Sequence, residues 1–319
     1  DGRPGIASNH PPILVRSRND NQQRDGRRDT DATYGAKHYE TIDASGKTHK
    51  KEVWWFGYKV HLLADVQYEL PLGYTITPAN ESDTRQLPVL MAQYRHQHLR
   101  LSTKAKSMVG DRGYDSTENN TLLWDDYGIV PVIDNRRCWQ EREETTRSVN
   151  LAKADNVVYN ADGEVSCICP ESGTERPMAF MGFEKDRECL KYRCPAAAYH
   201  CTCAGRDLCG NGKTTGFGRV VRIPLEKDRR LFTPLARHTY TFRRLYKQRT
   251  AVERINSRLD VSFGFEHHSI RGIDKMHCRM GIALIVMLAM ARGRLRQKQR
   301  DDMRSLVAAV SPPHEQRAA

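Results

Sequence analysis

Apolar and polar residues alternate over residues 57–65, and this alternation predicts a β-strand. Successive side chains of a strand point to opposite faces, so the apolar positions share one face, whereas His61 and Asp65 share the other. A short turn over residues 69–71 leads into a second strand over residues 72–78. The two segments together predict a β-hairpin.

Helix and strand patterns alternate in the next part of the chain. The predicted elements are a helix over residues 82–99, a short strand over 106–111, a helix opened by Asp115 and Glu118 as a capping box and ending near Tyr127, and a strand over 129–134. This order is typical of an α/β fold built around a mixed sheet.

Helical spacing returns towards the end of the chain. An apolar stripe predicts a long helix over residues 239–259, followed by a break over 262–269 and a final helix. The apolar run in that final helix, residues 280–291, is shorter than the roughly twenty residues that a bilayer-spanning helix needs. A membrane protein is therefore not expected.

Changes of composition suggest four segments. We expect a flexible N-terminal arm over residues 1–35, the first part of an α/β core over 36–135, a cysteine-rich insertion over 136–220, and the rest of the core with a basic tail over 221–319. The chain starts at Asp1 without a charged-then-apolar leader, so we expect a fragment that lacks its natural N-terminal segment and is not secreted.

The charge is concentrated in the last part of the chain. The sequence has 51 Lys and Arg against 39 Asp and Glu, a formal net charge of +12. Residues 219–319 hold 22 basic and 9 acidic residues, a net of +13, whereas residues 1–218 hold 29 and 30, a net of −1. A surplus of this kind favours a polyanionic partner.

Three acidic residues stand at positions suited to metal chemistry. Asp65 and Asp111 end predicted strands, where active-site residues of α/β sheets gather, and Glu253 lies on the predicted long helix. Carboxylates without His or Cys beside them suit Mg²⁺ or Mn²⁺, and two such ions can drive phosphodiester displacement. Taken singly, each residue has an ordinary alternative as a turn former, a helix cap or a surface ion-pair partner.

Three sequence blocks resemble those of bacterial insertion-sequence DDE transposases. The first is residues 57–65 with Leu70-Pro71-Leu72 and residues 77–83, and the second is residues 109–115. The third, Tyr246-x2-Arg249-x3-Glu253, is similar to the signature of one large group of these enzymes. The blocks occur in the family's order, and the resemblance covers most of residues 1–290.

This resemblance implies an RNase H-like core and a transposase that cuts transposon-end double-stranded DNA and joins it to target DNA with two Mg²⁺ ions. Asp65, Asp111 and Glu253 would be the metal ligands, and Tyr246 and Arg249 would hold the DNA end. It also implies a homodimer on DNA, in the cytoplasm of a bacterium and associated with its nucleoid. The expected alternatives are a metal-dependent nuclease or resolvase on the same core, and a non-catalytic DNA-binding remnant of a mobile element.

The sequence departs from the group's signature at Asp260, where a Lys is usual. Candidates to replace that phosphate contact are Arg254, Arg258 and Lys275. The density of positive charge over residues 292–300 indicates further phosphate contacts from Arg292, Arg294 and Arg296.

Seven of the nine cysteines fall between Cys167 and Cys209, which provides more thiolates than one tetrahedral Zn²⁺ needs. One site with spare cysteines, two sites, or free structural thiols are all compatible with this spacing, and His200 is a further candidate ligand. Some members of the transposase group resemble this chain in a Cys-Pro-Ala segment followed by two more cysteines. That match implies Zn²⁺ ligation by Cys194, Cys203 and Cys209, completed by Cys169 or Cys167.

Overall fold

The computed structural model describes residues 5–8, 13–17, 28–42, 48–135, 139, 146–151, 154–210 and 217–305. The described strands are β1 (Gly5–Ser8), β2 (Ile13–Ser17), β3 (Thr33–Ile42), β4 (Thr48–Asp65), β5 (Pro71–Pro78), β6 (Ser107–Gly110), β7 (Val130–Ile133), β8 (Thr146–Ser148), β9 (Val157–Asn160), β10 (Val165–Ile168), β11 (Glu175–Pro177), β12 (Ala179–Glu184), β13 (Cys189–Arg193), β14 (Val220–Pro224) and β15 (His267–His268). The described α-helices are α1 (Gln86–Gln97), α2 (Leu99–Ser102), α3 (Thr117–Thr121), α4 (Pro195–Tyr199), α5 (Tyr240–Tyr246), α6 (Thr250–Phe263) and α7 (Ile273–Arg296).

The chain divides into two compact units. The first comprises residues 1–105 and 248–319, and the second comprises residues 106–247. This division differs from the predicted segments, because the second unit takes in part of the predicted core on both sides of the cysteine-rich segment.

A mixed sheet organised around the 18-residue strand β4 forms the first unit. β4 pairs antiparallel with β1, β2, β3 and β5, and β15 pairs parallel with β2. The predicted hairpin is confirmed, with Tyr58 opposite Pro78 and Ala64 opposite Pro71. Within the predicted N-terminal arm, β1 and β2 form backbone hydrogen bonds along β4.

Helices cover this sheet. α1 packs on β4 and β5, α6 on β1 and β4, and α7 on β5. Both faces of β4 are consequently buried near its end, where Leu62, Leu63 and also His61 are 0% exposed. The Nε2 atom of His61 is hydrogen-bonded to Thr77 Oγ1 at 3.1 Å, so this histidine is a packed residue of the sheet.

The second unit begins with two parallel strands, β6 and β7. Between them, α3 continues into a π-helical turn over Leu122–Asp126. Ser116 caps α3 by accepting the N–H of Asn119, so the predicted capping by Asp115 is wrong. Asp115 is instead buried and pairs with Arg230, which explains why it is not free to cap the helix.

Two small antiparallel sheets occupy the cysteine-rich part of the second unit. Their strand orders are β11-β10-β9-β8 and β12-β13-β14. Residues from both sheets, together with Phe232 and Ala236, form one apolar core, in which Tyr192 and Ile223 are 0% exposed. The cysteine-rich part of the chain therefore packs on apolar side chains, because its short strands collect their inward-facing residues into a shared core.

The predicted helix over 239–259 is observed as two helices. α5 and α6 are separated by a 3₁₀ turn over Lys247–Arg249, and α6 ends at Gly264, which adopts the left-handed φ of 63°. The final helix is confirmed as α7. None of the described helices combines the length and the apolar character needed to cross a membrane.

Candidate active site

Asp65 is the last residue of β4 and opens the turn to β5. Its main-chain N–H donates to the carbonyl oxygen of Leu70 over 2.9 Å. Its carboxylate Oδ2 accepts the N–H of Tyr68 over 2.6 Å. These two bonds hold the partly exposed carboxylate at the end of the strand, where solvent reaches it.

Glu253 lies in the first turn of α6, next to the buried face formed by residues such as Val252 and Ile255. Its side chain is 43% exposed, and its Oε1 is 2.6 Å from Nη1 of Arg249, one turn earlier. Exposed pairs of this kind contribute little stability, so the carboxylate can exchange this partner for a ligand at small cost. Because α6 packs against β4, the elements that carry Asp65 and Glu253 are neighbours within one unit.

Asp111 belongs to the second unit and follows β6 directly. It caps the 3₁₀ turn Arg112–Tyr114 by accepting the N–H of Arg112. Because β6 and β7 are parallel and in register, Asp134 follows β7 at the same edge. Arg112 Nε donates to Asp134 Oδ2 over 2.6 Å, and this bond raises the pKa of Arg112. Asp134 has no predicted role, although it stands at the end of a predicted strand as Asp111 does.

Tyr246 and Arg249 are the two residues expected to hold a DNA end. Tyr246 stacks on Phe242 with ring centroids 6.2 Å apart and contributes to the raised pKa of Arg112. Arg249 pairs with Glu253. Arg249 therefore lies next to a candidate carboxylate, and Tyr246 lies near Arg112, the residue after Asp111.

Arg254 and Arg258 lie one turn apart on α6, and both contact the buried carboxylate of Glu69. The Arg258 side chain is 17% exposed and the Arg254 side chain 53% exposed, so only Arg254 also presents a substantial surface to solvent. Glu69 is not predictable from the sequence, because a single acidic residue in a turn belongs to no recognisable pattern.

The remaining basic candidates differ in exposure. Lys275, Arg292 and Arg296 are exposed. Arg294 is 1% exposed, so the prediction that it contacts phosphate is not supported by the structure. A buried guanidinium cannot reach a DNA backbone without leaving its place in the fold.

Several thiols converge in the second unit. Sγ of Cys203 lies 3.8 Å from Sγ of Cys169, which is buried. Cys209 Sγ accepts a hydrogen bond from Asn156 Nδ2 over 3.4 Å. Cys189 lies apart from these thiols and is hydrogen-bonded to Glu184. Among the described cysteines none forms a disulfide, and His200 is exposed.

The electrostatics of these thiols differ from one another. Burial raises the pKa of Cys167 to about 12, and the neighbouring thiols of Cys194, Cys209 and Cys203 add to this effect. Hydrogen bonds from Ser172, followed by other backbone N–H groups, lower the pKa of Cys169 to about 6. Of these two thiols, Cys169 therefore carries negative charge more readily than Cys167.

Across the residues that the structure describes, no three or more His, Cys, Asp and Glu side chains are arranged as a group that could hold a metal ion. Asp65 and Glu253 lie in one unit and Asp111 in the other. The donor chemistry is nevertheless clear: carboxylate oxygens suit a hard divalent ion, and thiolates suit Zn²⁺.

The mixed sheet with helices packed against it, and acidic residues at strand ends and on a helix, define a mixed α/β protein compatible with an RNase H-like fold. A family model described as "Transposase DDE domain" matches residues 23–289. The chain therefore belongs to the transposase DDE domain family. This membership implies an enzyme of the nuclease and transposase class, with DNA as its substrate and divalent metal ions as general requirements of the family. No curated protein and no solved structure matched the chain.

Proposed function

We propose that this chain is a transposase catalytic domain that cleaves transposon-end DNA and transfers the 3′-hydroxyl end to target DNA. Asp65, Asp111 and Glu253 would hold two Mg²⁺ or Mn²⁺ ions. The observation that carries the proposal is the packing of α6, with Glu253, against the strand that ends in Asp65. Family membership supports the reaction class.

Bound divalent ions would supply activation of a water or 3′-hydroxyl nucleophile and stabilisation of the leaving oxygen. The protein's own residues would prepare the ligands. Arg249 orients Glu253 through the 2.6 Å ion pair, and the Tyr68 N–H orients Asp65. The Arg112 side chain, which is bonded to Asp134, is 64% exposed, so a phosphate can reach it from solvent.

The substrate would be double-stranded DNA of the bacterial nucleoid, and the active form would be a homodimer on that DNA. Exposed Lys275, Arg292 and Arg296, with half-exposed Arg254, would contact phosphates. Such contacts position a duplex without reading its sequence. Tyr246 and Arg249 would hold the DNA end beside the carboxylates.

The test is cleavage and joining of candidate end sequences in Mg²⁺. Asp65→Asn, Asp111→Asn and Glu253→Gln should each lower the rate by about 10²- to 10³-fold, the equivalent of several kcal/mol of lost transition-state stabilisation. Asp162→Asn, at an exposed turn of the second unit, is the control and should keep the wild-type rate. Full activity of the three site variants would refute the assignment, and cleavage without joining would favour a nuclease or resolvase. Specific DNA binding without cleavage by the wild-type chain would favour a non-catalytic remnant.

We also propose that Cys169, Cys194, Cys203 and Cys209 bind one Zn²⁺. The support is the 3.8 Å separation of two of these sulfurs, because a tetrahedral site with Zn–S distances of about 2.3 Å has sulfurs about 3.8 Å apart. For all four thiols to bind one ion, the thiols of Cys194 and Cys209 must move towards Cys169 and Cys203 when metal binds. Cys167 lies beside the same thiols and is the alternative to Cys169.

Metal analysis of purified protein tests the zinc site. Wild-type protein should contain one zinc per chain, and Cys194→Ser should lose it. Cys189→Ser is the matched control, because this thiol is bonded to Glu184 outside the cluster. Equal zinc content in wild type and Cys194→Ser, or none in either, would refute the assignment.

A further inference from the structure

Glu69 is a completely buried carboxylate held by three guanidinium groups. Its side chain is 0% exposed. Arg254 Nε donates to Oε1 over 2.7 Å, Arg258 Nη1 donates to Oε2 over 2.8 Å, and Arg304 Nη1 lies 3.3 Å from Oε1. Burial alone would raise the pKa of Glu69, but the hydrogen bonds from Arg254 and Arg258 hold it below its usual range. The residue is therefore a buried anion with both oxygens bonded.

The backbone of Glu69 is fixed as firmly as its side chain. Its φ of 55° lies in the left-handed region, which is unfavourable for a residue with a Cβ. Arg258 Nη2 donates to the Glu69 carbonyl oxygen over 3.2 Å. This strained turn conformation persists because the surrounding contacts determine it.

The same turn carries Asp65. Glu69 is four residues after Asp65, and the intervening Tyr68 donates its N–H to the Asp65 carboxylate over 2.6 Å. The Asp65 N–H closes the turn by donating to Leu70, the residue after Glu69. Any shift of Glu69 therefore moves the groups that orient the Asp65 carboxylate.

The other end of the network lies on the helix that carries Glu253. Arg254 directly follows Glu253, and Arg258 lies one turn beyond Arg254 on the same helical face. The two arginines bond the two carboxylate oxygens of Glu69, and these bonds fix the position of α6 relative to the turn after β4. A slide of α6 by one helical turn, about 5.4 Å, would break both contacts.

We propose that Glu69 is a positioning residue that sets the Asp65 carboxylate relative to Glu253, by tying the turn after β4 to α6. This inference rests on the proposed function, in which Asp65 and Glu253 hold the same divalent ions. Glu69 itself touches neither DNA nor metal. It acts through the Tyr68–Asp65 bond on one side and through the arginines of α6 on the other.

The prediction concerns metal affinity, which a purely structural role would not change selectively. Glu69→Gln keeps the shape of the side chain but removes the charge that Arg254 and Arg258 share. Mn²⁺ binding to the DNA-free protein, measured by calorimetry, should weaken by at least about tenfold. The Mg²⁺ concentration for half-maximal cleavage should rise by a similar factor, and excess Mg²⁺ should restore most of the maximal rate.

Two further variants separate positioning from stability. Asp83→Asn removes a 3.0 Å, partly buried ion pair with Lys59 of β4, and it should lower the thermal midpoint without changing Mn²⁺ affinity. Arg254→Gln truncates a half-exposed partner of Glu69, so it should fold even where Glu69→Gln does not. Its Mn²⁺ affinity should fall by a few-fold, and adding it to Glu69→Gln should produce little further loss.

The outcomes distinguish this inference from the function on which it rests. Mn²⁺ affinity within twofold of wild type in Glu69→Gln and Arg254→Gln, combined with lost binding in Asp65→Asn, would overturn the role of Glu69 alone. Unchanged Mn²⁺ binding in Asp65→Asn and Glu253→Gln would overturn the proposed metal site, and the inference with it. Selective weakening in the Glu69 and Arg254 variants supports both.

Discussion

Tyr58→Phe should destabilise the first unit by about 2–3 kcal/mol. The Tyr58 hydroxyl is buried and lies 2.9 and 2.8 Å from the two carboxylate oxygens of Asp29, which is 2% exposed. A hydrogen bond to a charged group contributes about 1.5–3 kcal/mol, and leaving a buried carboxylate oxygen without that partner places the loss in the upper part of the range. Oδ1 keeps the N–H of Gly272 at 3.2 Å, which limits the loss.

Tyr74→Phe provides the matched control for this measurement. It makes the same chemical change on the adjacent strand β5, but the Tyr74 hydroxyl donates to the neutral carbonyl oxygen of His277 over 2.9 Å. Its expected cost is about 0.5–1.5 kcal/mol. Urea unfolding of both variants gives the comparison. If Tyr58→Phe costs no more than Tyr74→Phe, the claim that a buried charge-assisted bond joins β4 to Asp29 is wrong.

Burial raises the pKa of Asp260 to about 6, so the ionised form of this residue is disfavoured in the folded state. Asp260→Asn should therefore be more stable than wild type at pH 7.5. In urea titrations this gain in stability should disappear as the pH falls from 6 to 4. Hydrogen bonding from Arg222 lowers the pKa of Glu184 to about 2. Glu184→Gln should therefore be less stable than wild type at pH 7, and the difference in stability should shrink as the pH falls from 4.5 towards 2. A difference in stability that does not depend on pH would contradict this. Arg296→Gln should reduce the slope of log affinity for DNA against log salt by about 0.9, whereas buried Arg294→Gln should leave that slope unchanged and lower the free energy of unfolding.

Periodicity predicted the hairpin of β4 and β5 well, because alternation over residues 57–65 reflects the pleat of a strand. It did not reveal β1 and β2, whose neighbours are largely polar and whose strand character depends on pairing with β4. Pairing of distant segments is a tertiary effect that local composition does not report.

The candidate site, like the fold, is only partly predictable from the sequence. Asp65 and Asp111 were found because each ends a predicted strand, and both strand ends are observed. Glu69 is not predictable from the sequence, and Arg254 and Arg258 are predicted only as phosphate contacts, because the role of Glu69 depends on contacts 185 and 189 residues away in sequence. Arg294 illustrates the opposite error: a run of basic residues at the end of a helix was interpreted as surface, but this position faces inwards.

The central claim is that Asp65, Asp111 and Glu253 bind the same divalent ions, although the first and last belong to one compact unit and Asp111 to the other. Fe²⁺ bound in place of Mg²⁺ reduces added hydrogen peroxide to hydroxyl radicals, and added ascorbate returns the Fe³⁺ to Fe²⁺. The radicals cut the polypeptide close to the ion, and the fragments can be mapped by mass spectrometry. We predict cuts near all three residues, suppressed by excess Mg²⁺ and abolished by Asp65→Asn. Cuts near only one of them, or cuts that Mg²⁺ does not suppress, would contradict the shared metal site.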